Sequence, residues 1–133
     1  MVAFTDGEDS TSRRSGLDAV RALQESEVTC YGVSYASRLA AFGSGGGTYK
    51  ALARDAQRGL ETLSQGSGGF VIDGTSPDVV TQLKRIVDDI SALYVIGFAR
   101  EPSKKVEHRR LKVEIARRDV TVRHREGYDT KPR

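Results

Sequence analysis

The feature that most restricts the fold of this chain is the alternation of three short apolar runs with stretches of helical period. Val2 to Phe4, Val28 to Val33 and Phe70 to Ile72 are too short for typical helices and are rich in β-branched and aromatic residues, so they read as strands. Ser15 stands three residues before Asp18, a capping-box spacing, and Leu17, Val20 and Leu23 follow at helical intervals, which predicts a helix over residues 15–27. Tyr49, Leu52, Ala53, Ala56, Leu60 and Leu63 form one apolar stripe, with Thr48 placed to cap it and Gly66, Gly68 and Gly69 placed to end it. Ser76-Pro77-Asp78 opens a third helix whose buried stripe is expected at Val79, Leu83, Ile86, Val87 and Ile90. Strands separated by single helices cannot pair as tight hairpins, so these three belong to a parallel sheet with crossover connections.

Two stretches break this rhythm. Ser34 to Gly47 has no apolar period and ends in Gly43-Ser44-Gly45-Gly46-Gly47, which predicts a connection rather than an element. Beyond Ser91, Leu93 to Ala99 reads as a strand with Tyr94, Ile96 and Phe98 on one face, and Pro102 to Lys105 as a polar turn. Leu111, Val113 and Ile115 alternate with charged residues, and Val120 and Val122 do so after Arg117-Arg118-Asp119, which predicts an antiparallel hairpin with one apolar face. The expected fold class is therefore α/β, a Rossmann-like parallel sheet in the order β-α-β-α-β-α continued by antiparallel C-terminal strands. Residues 1–92 form the α/β body and 93–133 a β extension packed on the same domain.

With 133 residues the chain has room for one core. Its 38% hydrophobic and 29% charged residues suit a globular protein, and no apolar run is long enough to span a bilayer. The N-terminus lacks the basic and apolar regions of a secretory signal. The lone Cys30 excludes an intrachain disulfide and a multi-cysteine zinc site, and its place in an apolar strand predicts an inert core thiol. Net charge is +3, unevenly spread: residues 1–99 carry 9 basic and 12 acidic side chains, residues 100–133 carry 12 and 6. A basic tail on a mildly acidic body suits an anionic partner or simply a solvated face.

The densest polar cluster, Thr5-Asp6-Gly7-Glu8-Asp9-Ser10, follows the first strand, at the sheet edge where ligands bind in open α/β folds. The same residues are ordinary turn formers. Gly43 to Gly47 lacks the lysine of a phosphate loop and reads as a linker, and His108 and His124, set among arginines, read as solvated side chains. There is no nucleophile elbow and no carboxylate pair in a credible cleft, so catalysis is not expected.

Phe4-Thr5-Asp6-Gly7-Glu8-Asp9 before a helix, followed by the strand Val28 to Val33, resembles the second half of a von Willebrand factor type A domain. Leu63 to Phe70 is similar to the family's helix ending in a Gly-Gly turn before its last parallel strand, and the helix over 76–91 also matches. Leu93-Tyr94-Val95-Ile96-Gly97-Phe98, Arg110 to Ile115 and the ending Val122-Arg123-His124-Arg125-Glu126-Gly127-Tyr128 resemble the extension of the exported bacterial subgroup called VWFA-related. The resemblance implies a non-catalytic protein-binding module. It also implies a Mg²⁺-dependent adhesion site built on Asp-x-Ser-x-Ser, a Thr and the Asp of Thr-Asp-Gly. Only Asp6 maps onto that pattern; Asp9-Ser10-Thr11-Ser12 has the wrong spacing. Asp6 with Glu8 and Asp9 is short of the six or so oxygens that a hard cation takes, so no cofactor is expected for this chain although complete family members hold Mg²⁺.

In the family the strand before Thr-Asp-Gly lies in mid-sheet, whereas here Met1 directly precedes Val2, so the resemblance implies a truncated Rossmann-like sheet with an open apolar edge, suited to pairing with a second chain. The alternative function is polyanion binding by the C-terminal hairpin through Arg110, Lys112, Arg117, Arg118, Arg123 and Arg125. No aromatic residues interleave with these charges, which makes nucleic acid the weaker partner. A third reading is a gene fragment without independent function. The subgroup is usually exported, but this sequence carries no signal that assigns a compartment.

Overall fold

The computed structural model describes residues 1–7, 12–42, 47–99 and 105–130. The chain runs β1 (Val2–Thr5), α1 (Gly16–Glu25), β2 (Tyr31–Ser34), α2 (Ala36–Phe42), α3 (Gly47–Gly66), β3 (Val71–Asp73), α4 (Val79–Ser91), β4 (His108–Arg110) and β5 (Gly127–Asp129). β1, β2 and β3 form a parallel sheet in that spatial order, and β4 and β5 a separate antiparallel pair. The mixed α/β class and the parallel first sheet agree with the spacing of the apolar runs. The glycine connection at 43–46 and the turn at 102–104 lie outside the described residues.

Register assigns the two faces of the parallel sheet. Phe4 aligns with Val33 and Val33 with Ile72, so these share a face with Val2 and Tyr31, while Thr5, Ser34 and Asp73 align on the other. The first face packs on α4: Tyr31, Val33, Ile72 and Ile86 are buried together, with Tyr35, Phe70 and Leu83 around them. The second face packs on α3. A Cβ on Gly32 would come within 2.7 Å of Leu60 Cγ, so glycine at mid-strand lets the helix approach the sheet. α1 lies beside α3, where Gln24 Nε2 donates to Gly66 O at 2.8 Å.

Cap and turn signals hold in the α/β body, whereas Leu17, Tyr49 and Leu52 of the expected stripes are exposed. Ser15 Oγ accepts from Asp18 N at 3.2 Å and Asp18 Oδ2 accepts from Ser15 N at 3.0 Å, the reciprocal box expected for α1. Gly68 closes α3 with φ +92°. β2 starts at Tyr31 rather than Val28, because Cys30 N donates to Ser67 Oγ and Thr29 O accepts from the N-terminal ammonium. Thr48 lies inside α3, which begins one residue earlier.

Three expectations are corrected. The connection from Ser34 contains a helix, α2, because Ala36 buries against Ala53 and Ala56 of α3. Alanine is a strong helix former but contributes little to an apolar period, so its packing is invisible to pattern reading. In α4 only Ile86 of the expected stripe is fully buried; Val87 and Ile90 are 60% and 49% exposed, since the helix covers β2 and β3 and leaves β1 bare.

The C-terminal strands also differ. Leu93 to Ala99 forms no strand, and Tyr94, Val95 and Ile96 are exposed; among the described residues no neighbouring strand takes up its backbone groups. Residues 111–115 and 120–123 are likewise irregular, and the antiparallel pairing sits instead at His108–Arg110 with Gly127–Asp129. Burial selects that register. Tyr128 and Thr130 are buried, and β5 is tied to α1 by Arg21 and Asp129 at 4.0 Å, whereas Val113 and Ile115 remain partly exposed.

Candidate interaction edge

β1 is an edge strand, with β2 on one side only among the described residues. Its short length is pinned at the start: the Met1 ammonium donates to Thr29 O at 2.7 Å and Met1 O accepts from Tyr31 N at 2.9 Å. Phe4 is 62% exposed and Val2 39%, on the face that α4 covers over the other two strands. Val80 and Val87 of α4 are also exposed. An unpaired strand edge therefore stands beside the exposed apolar side chains of β1 itself.

At the other end of β1 the chain turns sharply. Gly7 has φ +79°, and its N donates to Thr5 Oγ1 at 2.9 Å. A Cβ at Gly7 would stand 2.8 Å from Ala56, so the Thr5-Asp6-Gly7 turn rests on α3. Asp6 is exposed there. Glu8 and Asp9, expected beside it, lie outside the described residues. Among the described residues no three His, Cys, Asp or Glu side chains converge as metal ligands, and the Thr5 hydroxyl is engaged by the backbone.

Four of the six C-terminal cations have local partners. Lys112 pairs with Glu114. Arg117 donates to Asp119 at 3.0 and 2.6 Å, which raises the guanidinium's pKa and lowers that of the carboxyl. Arg123 pairs with Asp89 of α4 and lies 4.9 Å over the Phe70 ring. Arg125 Nη1 donates to Gln24 O at 3.1 Å. Arg110 lies in β4, and Arg118 is exposed in the segment before β5. His108 is exposed, as read, with Nδ1 2.8 Å from Asp129 Oδ1, and the half-buried His124 has Nδ1 2.8 Å from Arg125 O. Cys30 is buried, and burial raises its thiol pKa against a weaker opposing pull from the Ser64 hydroxyl.

One polar cluster escaped the sequence reading. Asp73, the last residue of β3, accepts through Oδ1 from Thr75 N at 2.8 Å and Thr75 Oγ1 at 2.7 Å, and the Ser37 hydroxyl lies 2.7 Å from that of Thr75. These bonds hold the Asp73 carboxyl below the usual aspartate range, the Thr75 side chain contributing most. Ser34, at the end of β2, donates to Gln57 Oε1 of α3 at 2.6 Å. The spacing of Lys50, Arg54 and Arg58 on α3 was the available signal, but it resembles any solvated helix face.

No protein-family model, curated protein or solved structure matches the chain.

Proposed function

We propose that the chain is a non-catalytic protein-interaction module of Rossmann-like, von Willebrand type A character, working without a metal-ion-dependent adhesion site and binding through the free edge of β1. The observation that carries this reading is the position of β1: an outer strand with Val2 and Phe4 exposed on an otherwise packed face. A partner strand at that edge satisfies the unpaired backbone groups and brings apolar surface to Val2 and Phe4. In a homodimer a two-fold axis pairs β1 with β1 in antiparallel sense. Polyanion binding has less support, since Lys112, Arg117, Arg123 and Arg125 already have partners within the chain.

Sedimentation velocity on the native chain and on Val2→Lys/Phe4→Lys tests the proposal. The native chain is expected to show concentration-dependent association that the double-lysine chain loses. A concentration-independent native monomer removes self-pairing, and crosslinking to no strand-donating partner then removes edge binding altogether.

A further inference from the structure

A second feature, independent of the β1 edge, lies at the carboxyl ends of β2 and β3. A cleft of about 560 Å³ opens there between the strand ends and α3. Ser34, Ser37 and Asp73 line one wall, and Lys50, Arg54 and Gln57 the other. We infer that this cleft is a binding site for a small phosphorylated polyol, its phosphate held by Lys50 and Arg54 and its hydroxyls by Asp73 and the neighbouring polar groups.

Position is the first support. Open parallel sheets present the ends of their strands, and the loops that follow, as a crevice in which ligands bind. Charge is the second. Lys50, Arg54 and Arg58 recur at every fourth residue, which stacks them on one side of α3, and all three line the cleft. Arg58 is drawn toward Asp55 at 3.7 Å, while Lys50 and Arg54 have no ion pair among the described residues. Two uncompensated cations match a phosphate dianion, and the guanidinium fork of Arg54 suits paired phosphate oxygens.

Size and the opposite wall define the rest of the ligand. The volume lies within the range of small-molecule sites and is far larger than a bare phosphate needs. Asp73 repels a second anionic group but accepts from hydroxyls. Its Oδ1 is taken by Thr75, with the Ser37 hydroxyl at 3.4 Å, and Oδ2 makes no hydrogen bond among the described residues. A ligand with phosphate at one end and hydroxyls at the other satisfies both walls, whereas an all-anionic polymer sets charge against Asp73.

Isothermal titration of the full chain at low ionic strength with ribose 5-phosphate, inorganic phosphate and ribose is the test. Ribose 5-phosphate is expected to bind saturably, inorganic phosphate more weakly and ribose not at all. Lys50→Gln/Arg54→Gln removes exposed charges from a helix without emptying the core, and is expected to weaken ribose 5-phosphate about tenfold. Arg13→Gln/Arg14→Gln removes the same charge elsewhere and is expected to leave binding unchanged. Asp73→Asn is expected to bring ribose 5-phosphate down to the affinity of phosphate. Thermal melting of each variant separates lost binding from lost folding. No saturation by about 10 mM ribose 5-phosphate, far weaker than a specific site gives, overturns the inference. So do equal losses in the two double variants, or phosphate binding as tightly as its sugar ester.

Discussion

The hydroxyl of Tyr31, in the central strand, donates to Asp89 Oδ2 of α4 at 2.8 Å, and the other oxygen of that carboxylate takes the guanidinium of Arg123. Arg123 also lies over the ring of Phe70, which meets Tyr31 edge to face at 5.4 Å. One carboxylate thus joins the sheet, the helix that covers it and the C-terminal segment. Tyr31 is almost fully buried, and burial raises its hydroxyl pKa.

Arg123→Met keeps much of the apolar contact with Phe70 and removes the charge. It is expected to destabilise the chain by about 1.5 to 3 kcal/mol, the range for a hydrogen bond to a charged group, because Asp89 is left partly buried with Tyr31 as its remaining partner among the described residues. Urea melts measure this, and a change within error would mean that the C-terminal segment is not anchored there.

Leu60→Ala is expected to cost about 2 to 5 kcal/mol, since Leu60 is 5% exposed under the sheet and its loss leaves a cavity. Gly32→Ala should destabilise through the opposite effect, its new methyl meeting all three outer carbons of Leu60 at 3.0 Å or less. The double variant gives the shared contact room, so it should be more stable than the two single losses added together. Simple additivity would place the two residues apart.

Stability in acid should depend on Asp73. Its folded pKa is depressed by the hydrogen bonds from Thr75, so its contribution is present above the ordinary carboxylate range and is lost as pH falls through the lower folded value. Asp73→Asn is expected to flatten the fall in unfolding free energy below about pH 4, as read from urea melts across pH. An unchanged slope would show that the carboxylate is not held in the turn.

Cys30 should be unreactive toward Ellman's reagent in the native chain and react at the rate of unfolding, because the thiol is buried and its pKa is raised. Ser64 is 0% exposed, and among the described residues its hydroxyl finds only the weak sulfur partner Cys30. Ser64→Ala is therefore expected to be neutral or to stabilise by up to about 1 kcal/mol in the same melts.

The elements that could be read from the chain are those whose signals are local. Ser15 and Asp18 mark the start of α1 by their spacing, and the stripe through Ala53, Ala56 and Leu60 marks the buried side of α3, because helix geometry alone brings such residues together. The three short apolar runs, separated by helices, likewise required parallel pairing. The edge position expected for the first run came instead from the resemblance to a type A domain, and among the described residues β1 has a neighbour on one side only.

What tertiary structure decided has no local signal. Ala36 forms a helix because two alanines of α3 lie opposite it, and the antiparallel pair forms at 108–110 and 127–129 because Tyr128 and Thr130 bury beside α1. Arg123, one of six similar cations in the sequence, becomes a structural anchor only because folding brings Asp89 to it. The cleft depends in the same way on Asp73 and Lys50 coming together across 22 intervening positions. Periodicity records which side of an element is apolar, and which surface meets that side depends on the energy of contacts between segments far apart in the chain.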